Sequence, residues 1–131
     1  MTLDAESLLD QAERVATKAH APYSHFRVGA VVALPDGTIH AGCNVENSAY
    51  GASVCAEVNA ITTAVAAGAT EIDTIAIVCL DGQPCTPCGN CRQVMREFGV
   101  NRILTRDAGG STVEHTLDDL LPESFGPEAL P

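Results

Sequence analysis

Two short cysteine-bearing stretches restrict this chain more than anything else in it. Residues 83–99 read QPCTPCGNCRQVMREFG, with Cys85, Cys88 and Cys91 at three-residue intervals ahead of an apolar pattern at helical spacing. Residues 53–61 read SVCAEVNAI, a cysteine followed two residues later by a glutamate, again at the head of a helical pattern. Cysteines at i and i+3 on the first turn of a helix lie about 60° apart on one face and can share a metal ion. A fold that uses both stretches must bring two helix starts together.

Within the triplet, Pro87 separates the candidates. Its ring disfavours a helical conformation at Thr86, which leaves Cys85 off the turn. Cys88 and Cys91 are the better pair if the helix begins near Gly89. A helix start also offers unpaired N–H groups and a positive dipole end, both of which favour thiolate over thiol. Cys55, heading the other helix, makes a third ligand. Three protein ligands leave one position for water, the pattern of catalytic zinc and not of closed structural zinc. Such a site needs a proton carrier. Glu57 can serve if Cys55 sits at the very start of its helix, where side chains fan towards the end. Taken alone, C-x-x-C could be a redox pair or a structural zinc half-site, and Glu57 could merely complement the helix dipole. A non-catalytic, zinc-stabilised interaction module is the corresponding alternative. It would close the site with a fourth ligand such as Cys85 and have no use for Glu57.

At 131 residues the chain is expected to form one domain, 1–131, with a proper core. No apolar run approaches the roughly 18 residues of a membrane span. The N-terminal stretch is acidic and amphipathic, unlike a signal peptide, so a cytoplasmic address and no membrane partner are expected. A net charge of −10, with seven scattered basic residues, removes the phosphate-neutralising term that drives binding to nucleic-acid polymers. A small, neutral ligand suits this surface better. Of the six cysteines, Cys43 and Cys79 lie in strand-like runs and read as core residues.

Residues 4–20 place Leu8, Leu9, Ala12, Val15, Ala16 and Ala19 on one helical face. FRVGAVVAL and TIHAGCNVE flank Pro35-Asp36-Gly37 as a hairpin. A helix at 54–67 stopped by Gly68, a strand at 73–80, a helix ending at Phe98-Gly99, two strands in NRILTRD and STVEHTL, and a short helix before the tail complete the chain. The order implies an α/β fold: three α-β-α layers, a mixed five-stranded sheet flanked by helices.

The combination of C-A-E with P-C-G-x-C resembles the zinc deaminase signature H-x-E…P-C-x-x-C in its three-cysteine form. From about Ala21 to Phe125 the chain resembles the small, homotetrameric cytidine deaminases, through APYSHFRVGA, GCNVENSAY, CAE, PCGNCRQV and LLPESF in order. The resemblance implies one zinc ion per chain on Cys55, Cys88 and Cys91, with Glu57 as proton shuttle. It implies sugar recognition by Asn44 and Glu46, an aromatic under the base at Phe26, and a backbone amide at Ala56 that holds the base carbonyl. Phe125 matches the tail aromatic that such enzymes lend to a neighbouring subunit's site. The implied activity is hydrolytic deamination of cytidine and deoxycytidine to uridine and deoxyuridine, as in pyrimidine salvage. A related aminopyrimidine, such as blasticidin S or a modified cytosine nucleoside, is the alternative substrate. None of the four histidines matches a ligand. Many members carry Arg directly after the catalytic Glu; here that residue is Val58. Three thiolates give zinc a formal charge of −1, so Arg92 and the two helix dipoles are expected to compensate.

Overall fold

The computed structural model describes residues 4–131. Five strands form one mixed sheet in the order β2-β1-β3-β4-β5: β1 (Val28–Ala33), β2 (Ile39–Cys43), β3 (Thr74–Cys79), β4 (Arg102–Arg106) and β5 (Thr112–Thr116). Only β3 and β4 pair in parallel. A parallel pair cannot be closed by a tight turn, and α3 (Gly89–Glu97) supplies the crossover. The β1–β2 hairpin turns at the expected Pro35-Asp36-Gly37, where Gly37 takes φ 90 and the Asp36 carboxylate accepts the Thr38 amide at 2.9 Å.

Strands β1 and β3 are buried at every position, as central strands covered on both faces must be. Their side chains alternate between two cores. Ala30, Val32, Ile75 and Ile77 meet Ile61 and Ala64 of α2 (Ala56–Ala66) and Met95 of α3. Val31, Ala33, Ala76 and Val78 meet Leu8, Leu9 and Ala12 of α1 (Ala5–Ala16). The three-layer arrangement is the one the sequence implies.

Helix α1 is shorter than its apolar pattern. It stops at Ala16, where the Thr17 hydroxyl donates to the Arg14 carbonyl at 2.7 Å. The chain then straightens so that His20 bridges Val45: His20 N donates to Asn44 O at 3.0 Å, and Glu46 N to His20 O at 2.8 Å. These long-range bonds outweigh one more helical turn.

Helix α2 lies unusually close to β2. A Cβ at Gly42 would come within 2.4 Å of the Ala60 amide nitrogen, so only glycine admits this approach. Asn59 fixes the register by donating to Cys43 O at 2.9 Å. Together they bring the start of α2 to the sheet end where β2 and β3 finish and β1 begins.

Candidate active site

Cys55 and Cys88 occupy equivalent places, each capping the start of its helix, α2 or α3, in extended backbone. The Cys55 sulfur makes no capping hydrogen bond to its own helix. Instead the sulfurs meet: Cys55 Sγ lies 3.9 Å from Cys88 Sγ, and Cys88 Sγ lies 3.4 Å from Cys91 Sγ. All three lie within 4.8 Å of one another. Tetrahedral zinc with Zn–S bonds of about 2.3 Å requires sulfurs about 3.8 Å apart, so the trio has the right spacing to hold this ion. Among the described residues no other group of metal-ligating side chains is this tightly gathered.

The electrostatics agree. Burial pushes the Cys55 and Cys91 thiols up. Burial also works against ionising Cys88, but the Cys91 amide and the Cys91 and Cys55 thiols outweigh it and set Cys88 below the ordinary value. Three thiols this close cannot all ionise cheaply on their own. A divalent cation removes the penalty. Cys85 stands apart from the trio. It is buried, and burial followed by its contact with Cys79 pushes its thiol up. It is a core residue, as is Cys79, whereas Cys43 is half-buried.

Glu57 is the second residue of α2 and only 6% exposed. Burial raises its carboxyl above the ordinary glutamate value, and its own amide and Cys91 offset this only in part. A carboxyl shifted in this direction holds a proton more readily than an ordinary glutamate, as a proton carrier must. The condition set by the sequence, that Cys55 precede the first helical turn, is met.

A cavity of about 420 Å³ opens beside the trio, lined in part by Phe26, Asn44, Glu46, Ala56 and Glu57. That volume lies in the range of small-molecule sites. Ala56 is the first residue of α2, and its N–H is one of those a helix leaves without an internal partner. Asn44 spans the loop ahead of β1: its Oδ1 accepts from Val28 N at 2.8 Å, and its Nδ2 donates to Phe26 O at 2.8 Å. One Glu46 oxygen accepts the Tyr23 and Ser24 amides at 3.0 and 3.1 Å, and the other accepts the Ser24 hydroxyl. Ser24 and the Tyr23 amide hold the Glu46 carboxyl below its usual range.

Of the expected site residues, all line one cavity except Cys91, which is buried within the sulfur trio, and Phe125. Phe125 is 61% exposed on the C-terminal segment and does not line this chain's own cavity. Arg92 stands directly after Cys91. Its donors go to the Pro87 and Leu120 carbonyls at 2.8 and 2.7 Å, and neither goes to a sulfur. Val58 is half-buried against the core. Ser24 and Asn59 are site-supporting residues that the sequence reading passed over. Serine two before Phe26 is a turn signal, and Asn59 is a lone carboxamide in an alanine-rich helix.

A thiolate trio on two helix starts, with a buried carboxyl beside it in a three-layer α/β fold, defines a mononuclear zinc site of the hydrolytic class. The family model described as the cytidine and deoxycytidylate deaminase zinc-binding region matches residues 3–106. The chain belongs to this family. It is 40% identical over 130 residues to a cytidine deaminase of Sporosarcina psychrophila, covering 98% of this chain and 96% of the relative. The crystal structure of a cytidine deaminase from Burkholderia pseudomallei superposes with a TM-score of 0.87 at 39% identity, covering 94% of this chain and all of that one. One from Mycobacterium tuberculosis gives 0.83 at 37% identity, covering 95% and 99%.

Proposed function

We propose that the chain, acting as one catalytic domain, converts cytidine and deoxycytidine to uridine and deoxyuridine by hydrolysis. The observation that carries this reading is the buried Glu57 carboxyl beside the Cys55, Cys88 and Cys91 sulfurs at the wall of a nucleoside-sized cavity. Full-length similarity to cytidine deaminases supports the same substrate class.

The three cysteines hold one zinc ion, which supplies Lewis acidity and lowers the pKa of a water molecule when bound. Glu57 accepts a proton from the attacking water as its oxygen bonds to C4 of the pyrimidine. It passes this proton to N3. The second water proton then reaches the exocyclic nitrogen by way of Glu57, the C4–N bond breaks, and ammonia leaves. Water and cytidine are consumed and uridine and ammonia formed, so atoms balance without an oxidant or a second cofactor. The Ala56 N–H donates to the base carbonyl and fixes which ring edge faces Glu57. Phe26 packs under the ring. Asn44 and Glu46 receive the sugar, Glu46 with lone pairs left on the oxygen that Ser24 already contacts.

The partner set follows. The ligand is a free nucleoside and not a nucleic-acid polymer. The protein works as a homotetramer in the cytoplasm, each Phe125 closing a neighbour's site. No helix among the described residues is long and apolar enough to cross a membrane.

Ammonia release by the zinc-loaded protein should be measured on cytidine, deoxycytidine and blasticidin S. Turnover of both nucleosides with little on the antibiotic is expected. Preference for blasticidin S would replace this reading with the alternative substrate, and no turnover with zinc bound would favour the interaction module.

A further inference from the structure

Helix α3 carries Cys91 on its first turn and, further along, three side chains that all reach the C-terminal segment. Arg92 donates to Leu120 O at 2.7 Å. Gln93 Nε2 donates to the carbonyl of Phe125 itself at 2.9 Å. Arg96 Nε donates to Ser124 Oγ at 3.1 Å, and its Nη2 pairs with the Glu128 carboxylate. Gly126 rests against the same guanidinium so closely that a Cβ there would come within 2.7 Å of Arg96 Cζ. The chain enters this clamp through a left-handed turn at Glu123, φ 53.

The residue before Phe125, its own carbonyl and the residue after it are therefore all held, while Phe125 itself stays 61% exposed. An aromatic that served only to pack the tail would turn inward. Here the backbone is fixed and the ring is presented outward. We infer that Arg96 and Gln93 are positioning residues that set Phe125 in advance as a wall for the base pocket of an adjoining copy. This rests on the reading above that Phe125 completes a neighbouring site. A wall ordered before substrate arrives loses less freedom on closing, which is the physical gain of preorganisation. The clamp also ties the aromatic lent outward to the same rigid helix whose first turn carries Cys91.

The test uses the assembled, zinc-loaded enzyme. Arg96→Met keeps the apolar stem and removes the donors. It should raise KM for cytidine about tenfold, with kcat, zinc content and oligomeric mass nearly unchanged. Gln93→Met, at an exposed position, should move KM in the same direction and stands in if the Arg96 variant folds poorly. In a Phe125→Ala background neither substitution should raise KM further, because both act through that ring. Unchanged KM in the single variants, or an equal rise with and without Phe125, overturns the inference. If Phe125→Ala alone leaves KM untouched, the neighbouring-site reading is what fails, and this inference falls with it.

Discussion

The Ser24 hydroxyl donates to the Glu46 carboxylate and at the same time accepts the Phe26 amide at 3.0 Å. One side chain thereby links the carboxylate expected at the sugar to the aromatic expected under the base. Ser24→Ala should loosen both. KM for cytidine should rise several-fold with kcat little affected, and the rise should shrink for a nucleoside lacking the 3′-hydroxyl. An equal rise on both substrates would remove Glu46 from the pathway by which Ser24 acts.

The metal assignment separates cleanly between two neighbouring cysteines. Cys85 is buried beside Cys79 and lies outside the sulfur trio. Zinc analysis of purified protein should find one ion per chain in Cys85→Ser and almost none in Cys88→Ser. Loss of the metal from Cys85→Ser would show that the ligand set is wrong.

Glu57→Gln removes a proton carrier while keeping the shape of a nearly fully buried side chain. General acid–base catalysis alone is worth about 10² to 10⁴ in rate, and in the proposed mechanism Glu57 serves more than one transfer. Turnover should fall by at least that range with zinc retained. A variant keeping a tenth of the activity would exclude Glu57 from the mechanism.

A pH effect should arise at the Arg27–Asp81 pair. Arg27 binds Asp81 through its backbone amide at 2.8 Å and through two guanidinium nitrogens at 3.0 and 2.9 Å. The Arg27 side chain, then its amide, hold the Asp81 carboxyl at about 2, below the ordinary aspartate range, with His25 assisting. The folded value is the lower one, so the unfolded chain binds more protons between these limits. The pair's contribution is complete above about pH 4 and lost as pH falls towards about 2. Both groups face solvent, so the effect is small. The difference in denaturant midpoint between wild type and Asp81→Asn should narrow on going from about pH 6 to about pH 3. A gap that stays constant would mean that Asp81 carries no such linkage.

Much of this architecture is legible in the sequence because it is written at short range. Alternation marks β1 and β3, and Gly68 and Gly99, both at positive φ, mark the stops of α2 and α3. Pro87 correctly separates Cys85 from the pair that opens α3. What escapes is decided by contacts between distant segments. His20 gives its backbone to residues 44–46 and cuts α1 short of its apolar pattern. Arg92, adjacent to Cys91, reads as charge compensation, and nothing local announces that it also braces the Leu120 backbone. Gly42 carries no side-chain signal at all. Its meaning lies in the Ala60 backbone above it.

The two helix starts that meet at the sulfur trio are 33 residues apart along the chain, counted from Cys55 to Cys88. An ion held there works as a cross-link as well as a reagent. Closing a loop of that size restricts the unfolded chain by an amount worth about 4 kcal/mol on the loop-entropy scale used for disulfides. In such a protein, metal supply governs folding yield and lifetime along with turnover. Chelation should therefore shorten the lifetime of the protein as well as silence it, and the segment between β3 and α3 should be the first to exchange its amide hydrogens.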